Sequence, residues 1–433
     1  VLGKSEIRRG LRISTWEGAS AQVHNVLVSN ALLSGFALAW GANDFHLGLL
    51  GAIPFLAQLF QFVGAYLVDR WADHRRLIVA SLGLTARSTW FLIALLPFLL
   101  SATSLPVLPL ILVVFLLYQL AYCASGPGWV AWMAVLVPER LRGRYLGRRN
   151  LVIELVGVLA ALGAGSAIDA FRSAGRERAG FAVLQVLAGG AGVVCFLLML
   201  RQPDPGHHSP QPEIRWAYLL RPLQDSRFRR LCVFNLYWCF GLNICLPFLN
   251  AHLLKNLGWD FKQLAVLGLI TSVASVLMNP VWGRLADRRG CKSALKLCTL
   301  GLMHVPLYYV FCPPNMTWPI YLSGIFYGVF MSGFNLAMFS LTLASLPVQV
   351  RAMGSAVLNA VTGPATFLSG ALSGWVAQHL TTLHWRAGTF ALVNYQLLFL
   401  SSILLRVPAL ALLNRVHDPE IGRPRQPASD PVP

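Results

Sequence analysis

Gly283-Arg284-Leu285-Ala286-Asp287-Arg288-Arg289-Gly290-Cys291-Lys292 lies between two long apolar runs of the chain. Two glycines, an aspartate and a basic cluster in ten residues have no place in a hydrocarbon interior, where each ionised side chain costs several kcal/mol. They fit a tight loop between two membrane helices on the side where Lys and Arg accumulate.

The composition around this loop agrees. Of 433 residues, 56% are hydrophobic and 12% charged, with a mean hydropathy of +0.60, too apolar for a soluble globule of that length. The net charge of +18 raises nucleic acid as a partner. The basic residues sit in short loops rather than on one polar face, so no nucleic-acid partner is expected. The eight cysteines fall mostly within apolar runs, with no Cys-x-x-Cys pair and no His/Cys set at ligand spacing; no metal and no cofactor is expected. No small-residue cleavage site follows the basic first residues, so the first span itself would direct insertion.

A span needs about 20 apolar residues. Windows of that length give twelve, at 16–41, 47–68, 77–100, 106–136, 149–170, 180–200, 230–253, 262–284, 293–312, 317–345, 352–379 and 387–413. In alternate loops, 28 Lys and Arg fall on the side of the termini, counting Arg406 with the tail, and six on the other, with Arg87 inside a span. The bias places both termini and the loop after span 8 in the cytoplasm, in a plasma or inner membrane. The proline-rich, basic stretch 201–229 reads as a linker between bundles 1–200 and 230–414, and the tail 415–433 as disordered.

The halves repeat weakly. Ala65-Tyr-Leu-Val-Asp69-Arg70-Trp-Ala72, after span 2, aligns with Gly283 to Gly290, after span 8, and Pro138 to Gly143 aligns with Pro347 to Ala352. Parallel repeats of six spans are a secondary-transporter pattern.

These residues resemble the signature of the major facilitator superfamily, Gly-x-Leu-Ala-Asp-Arg-x-Gly-Arg-Lys. Cys291 departs from it in the second copy, and Ala65 and Ala72 replace both glycines in the first. Arg142-Gly143-Arg144 to Gly147 is similar to the superfamily's loop after span 4. The resemblance implies an all-α polytopic membrane protein with twelve transmembrane helices in two six-helix pseudo-repeat bundles, rocking around a central cavity. It also implies a conformational gate of Asp69, Arg70, Arg142, Gly283, Asp287, Arg288, Gly290 and Arg351. Asp69 would face the start of span 11 near Ala352 to Ser355, and Asp287 the start of span 5 near Arg148, each accepting from orphan helical N–H groups. The competing reading is that these charges only set topology, although aspartate contributes little to that.

Ionisable groups deep in spans are functional candidates. Arg87 and Glu154 differ in depth by about 7 Å, five residues at about 1.5 Å each, so they could pair as a structural clamp or a coupling site. Glu154 is the stronger functional candidate, because burial favours the neutral form of a carboxyl. Glu17 and His24 are further coupling candidates. His24, Asn25, Gln119, Asn235, Asn243 and Asn335 lie on spans that the resemblance assigns to the cavity; interhelical hydrogen bonding is the commoner role of each. Trp129, Trp132, Tyr237 and Trp238 would be its aromatic walls. Gly363-Pro364 with Gly370, Ala371 and Gly374 reads as a small-residue packing seam. Drug-antiporter and sugar-porter hallmarks are absent.

The expected function is therefore secondary active transport of a small organic solute by a monomer in the bilayer, with protons as a candidate coupling ion. The alternatives are a membrane enzyme on lipid-linked substrates or a transporter-like scaffold or sensor. Asp44, His46 and Asp169 are too scattered for a catalytic cluster.

Overall fold

A computed structural model describes residues 3–28, 30–71, 74–100, 106–203, 221–313, 316–346, 351–381, 385–387 and 390–416. The chain is almost entirely helical. The first span consists of α1 (Lys4–Leu27) and α2 (Asn30–Ala39). The second is α3 (Asp44–Ala57), a 3₁₀ turn over Gln58–Phe60, and α4 (Gln61–Arg70). Pro54 lies inside α3, where it removes one helical hydrogen bond shortly before the backbone tightens into that turn. Four long helices follow: α5 (Arg75–Leu99), α6 (Val107–Leu136), α7 (Glu139–Ser173) and α8 (Glu177–Arg201).

After the linker come a single turn, α9 (Arg221–Gln224), then α10 (Ser226–Asn243), α11 (Leu246–Lys255) and α12 (Phe261–Arg289). The remaining helices are α13 (Cys291–Met303), α14 (Val305–Phe311), α15 (Trp318–Ala344), α16 (Arg351–His379) and α17 (Asn394–Asn414). All twelve expected spans coincide with these helices, and among the described residues ten segments are long and apolar enough to cross a membrane. Those at spans 1 and 11 are not among the ten.

Several boundaries differ from the sequence reading; the first span, read from 16, starts at Lys4. The twelfth span starts at Asn394, not 387, because Trp385–Ala387 (β1) and Phe390–Leu392 (β2) pair as an antiparallel hairpin before it. The fifth starts at Glu139, so α7 is about 52 Å long at 1.5 Å per residue and reaches well past the terminal-face boundary of a hydrocarbon core about 30 Å thick. The helix of the seventh span starts at Ser226, a turn before 230. The tail 417–433 lies outside the described residues.

The face of the protein that carries Gly3 and Val416 is called the terminal face below, and the opposite one the distal face. Packing divides the molecule by depth. In the distal half a single apolar core joins both bundles, running from Leu33, Trp90 and Phe181 to Phe248, Phe261 and Phe399. Among the described residues the terminal half has two cores. One, around Val68, Trp132 and Met199, belongs to the first bundle; the other, around Phe228, Trp282 and Leu413, belongs to the second. The bundles therefore meet at one end and part toward the other.

Candidate functional site

A cavity of about 620 Å³ opens between the bundles, within the range of small-molecule sites. One wall is a stripe of α7, with Glu154, Gly157, Val158, Ala161 and Gly165 at helical spacing. The facing wall is a stripe of α12, with Phe261, Leu264, Ala265, Gly268, Thr271 and Ser272. Positions recurring every three or four residues share one face of a helix, which is why each helix gives a continuous wall. Gln22 of α1, Asn243 of α10, Asn250 of α11 and Ser323, Tyr309 and Tyr327 add amide and hydroxyl groups. Glu154 is the one charged side chain among the described lining residues, and it is exposed.

The distal end of the cavity is closed by contacts between bundles. Asp44, at the start of α3 and only 4% exposed, is the hub. Its carboxylate accepts from Lys255 Nζ at 2.9 Å, Asn394 Nδ2 at 2.8 Å and the Tyr395 hydroxyl at 2.5 Å, while its own N–H donates to Gln378 Oε1 at 3.1 Å. Lys255 Nζ also donates to the Tyr395 hydroxyl at 3.1 Å, so the carboxylate of Asp44 ties down the distal ends of α11 and α17, and its backbone N–H ties down that of α16. A second aspartate repeats the logic. Asp169, near the end of α7, accepts the N–H groups of Phe261 (3.0 Å) and Lys262 (2.9 Å), the first two residues of α12. Those N–H groups are orphans of the helix start, and the dipole there favours an anion.

Between these two ties the helices touch through glycine. A Cβ at Gly48 would fall 2.6 Å from the Gly370 carbonyl oxygen and 2.7 Å from the Gly374 Cα, and one at Gly165 would fall 2.8 Å from the Phe261 carbonyl oxygen. The seam read on α16 thus packs against α3. Neither Asp44 nor Asp169 was singled out as a lock from the sequence. The available signal was a lone acid at the distal end of a span, in a chain whose other distal charges are mostly basic.

The terminal face is open. Asp287 and Arg288, at the end of α12, are exposed, and among the described residues Asp287 has no hydrogen-bond partner. Gly290 joins α12 directly to α13 with φ +84° and ψ 152°, a conformation reserved almost wholly for glycine, so the second glycine of the quoted stretch is a backbone requirement. Nothing lies within 4 Å of a Cβ built on Gly283. Arg70 is exposed, donating to the Tyr66 hydroxyl at 3.4 Å. The side chains of Asp69, Arg142 and Arg351 lie outside the described residues. Because α7 begins at Glu139, Arg148 is nine residues inside the helix, where backbone N–H groups are already bonded. A partner there for Asp287 would be the exposed Arg148 guanidinium and not a helix start.

Of the substrate or proton candidates, Glu154 and Asn243 line the cavity, and Asn243 Nδ2 donates to the Thr366 carbonyl at 2.9 Å. The Arg87–Glu154 pair is not formed. Glu154 is not buried, and Arg87, 8% exposed, turns into the first bundle against Gly192 and lies 5.8 Å from the Tyr122 ring centroid. His24 is fully buried there, one ring nitrogen 2.9 Å from the Ala188 carbonyl oxygen and the other 3.2 Å from the Tyr118 hydroxyl. Asn25 accepts from the Tyr122 hydroxyl at 3.4 Å, and Asn235 from Cys239 Sγ at 3.7 Å. Gln119 is half-buried and Asn335 exposed, both away from the cavity lining. Of the aromatic residues, Tyr309 and Tyr327 are cavity walls, whereas Trp132 and Trp238 are fully buried within separate bundles.

Two charges counted with the loops are interior. Arg149 pairs with Glu17 at 3.3 Å, both nearly buried, and lies 4.9 Å from the Trp129 ring centroid. Arg406, wholly buried in α17, donates to the carbonyls of Ser402 (3.0 Å) and Leu302 (3.3 Å), and its guanidinium carbon lies 5.2 Å from the Trp238 ring centroid. Its Nη2 has no partner among the described residues. The hydropathy window around it gave no sign, because one arginine barely moves the mean of twenty residues.

The family model described as Major Facilitator Superfamily matches residues 21–246 and, a second time, residues 231–431. No curated protein matches the chain. Among solved structures, a mutant of the nucleoside transporter NupG superposes with a TM-score of 0.72 at 14% identity, covering 94% of this chain and 99% of that one. A bacterial homologue of the iron transporter ferroportin, in its inward-facing state, gives 0.69 at 14% identity, with 96% and 99% covered. A D-xylose–proton symporter gives 0.66 at 14% identity, with 95% and 98% covered.

Proposed function

We propose that this chain, which belongs to the major facilitator superfamily, is a secondary active transporter that carries a small organic solute through the cavity at Glu154 by alternating access. The observation that carries the reading is the division of the core: one joined core at the distal end, two separate cores at the terminal end, and a cavity where they divide. Closing the terminal face and parting the distal one would expose the same cavity to the other side. The basic bias of the terminal-face loops favours a cytoplasmic terminal face, so this conformation is inward-open, and each chain holds a complete cavity, as a monomeric transporter needs.

The chemistry of the walls narrows the solute. A single carboxylate among amides, hydroxyls and apolar side chains suits a neutral or cationic solute and disfavours an anionic one, which would meet like charge. Glu154 can hold the cationic group of such a solute. The nucleoside and sugar named for the similar structures are of a size the cavity would hold.

The test begins with thermal shift of the purified protein against nucleosides, sugars and small organic cations, since a bound solute raises the melting temperature. Flux of each hit is then measured in proteoliposomes under an imposed pH or solute gradient. Glu154→Gln is expected to lower gradient-driven flux at least about tenfold, equivalent to about 1.4 kcal/mol of differential binding, with folding unchanged because the residue is exposed. Full flux in that variant removes Glu154 from the mechanism. Failure of every gradient to drive any solute removes transport itself.

A further inference from the structure

A second concavity, of about 710 Å³, lies on the terminal face away from the transport cavity. Arg229 and Arg230 reach it from the first turn of α10, Lys292 from the start of α13, and Arg415 from just beyond α17. No acidic side chain is among its described lining residues. Lys292 Nζ donates to the Asn414 carbonyl at 2.8 Å, which fixes one cation at the pocket wall. Val233, Leu412 and Val416 complete the lining, and Val233 is 48% exposed.

The depth of this pocket is set by its helices. α10, α13 and α17 each belong to segments apolar enough to cross the bilayer, and all three contribute their terminal-face ends. The four cations therefore sit at the terminal-face ends of apolar segments, with the exposed Val233 one helical turn further along α10. Topology alone asks for basic loops; it does not ask that three separate helix ends converge on one concave site with no acid among its described lining residues. We propose that this pocket binds the phosphate headgroup of an anionic phospholipid, with the acyl chains running along Val233. Basic pockets between helix ends on the cytoplasmic side have the electrostatics for this, each Lys or Arg near the surface contributing roughly a fivefold gain in binding.

The experiment uses the full chain in neutral detergent. Native mass spectrometry counts retained lipid after addition of phosphatidylglycerol, or of phosphatidylcholine as the zwitterionic control, and the melting temperature is read in parallel with each lipid and with inorganic phosphate. Phosphatidylglycerol is expected to be retained and to raise the melting temperature where phosphatidylcholine does not, and the effect should weaken with salt. The combined variant Arg229→Gln, Arg230→Gln should weaken retention by about twenty-five-fold, two charges at about fivefold each; Lys262→Gln, on the distal face, should leave it unchanged. Equal behaviour of the two lipids on the unmodified protein overturns the proposal without any variant. So does undiminished retention in the double variant, and so does an equal shift with inorganic phosphate, which would make this a free-anion site.

Discussion

At the scale of single residues, the arrangement turns on which charges are paired across the bundles and which are not. Asp44 draws three donors from the second bundle while almost excluded from solvent. Hydrogen bonds to a charged acceptor are the strong ones, and removing one member leaves its partners unsatisfied. Asp44→Asn keeps the shape but replaces an acceptor pair by one donor and one acceptor. Since Lys255 is 35% exposed and partly solvated once released, the closed distal face is expected to lose about 1–3 kcal/mol. Hydrogen–deuterium exchange of residues 44–50 should rise in this variant; unchanged exchange would show that the distal seal does not depend on the carboxylate. Glu154 was readable as the ionisable group of span 5, but its placement on the cavity wall was not. Arg87 was equally readable, yet the rotation of α5 sends it against Gly192, away from Glu154.

At the scale of elements, the contact of α3 with α16 depends on the absence of side chains. Gly48 and Gly374 let two backbones approach so closely that an added methyl would meet main chain, and at Gly370 it would fall 2.8 Å from the Ala52 Cβ and 2.9 Å from Asn243 Nδ2. Gly48→Ala should therefore push α3 from α16 at a cost of about 1–3 kcal/mol to the distal-closed state. Spin-label distances across the distal face would lengthen; an unaltered distance distribution would refute the seam as a closure device. The seam was legible as a run of small residues on span 11, because spacing alone puts Gly363, Gly370 and Gly374 near one face. Its partner was not legible, since Gly48 is one glycine among 37. The capping of α12 by Asp169 shows the same limit: the physics was expected of Asp287 at the other face, and here another aspartate satisfies it.

At the scale of the molecule, the two halves form one body at the distal end and two at the terminal end. Alternating access, as proposed, asks this balance to invert, and in the proposed inverted state the exposed stretch around Asp287 would be the gate. The better preserved second copy of the loop, with Gly290 in its glycine-only conformation, leads us to expect Asp287→Ala to slow transport more than Asp69→Ala at equal expression. Because Asp287 would face a guanidinium within α7, part of its effect should fade at high salt, as exposed ion pairs do. Equal defects in the two variants, measured as initial flux in proteoliposomes, would contradict the asymmetry.

The sequence by itself determined the number of spans, their pairing into two repeats and the glycine of the quoted turn. Apolar length, loop charge and backbone conformation are local properties, written in consecutive residues. It also marked Glu154, since a carboxylate within an apolar run stands out without any knowledge of its neighbours. Tertiary structure alone decided that Asp44 and Asp169 lock the distal face, that Arg406 and the Glu17–Arg149 pair are interior, and that Arg229, Arg230, Lys292 and Arg415 share one pocket. Each of those facts depends on helix rotation about its axis and on contacts between positions tens to hundreds of residues apart. In a bilayer nearly every face of a helix can be apolar, so hydrophobic periodicity, which fixes rotation in soluble proteins, carries too little information to set it.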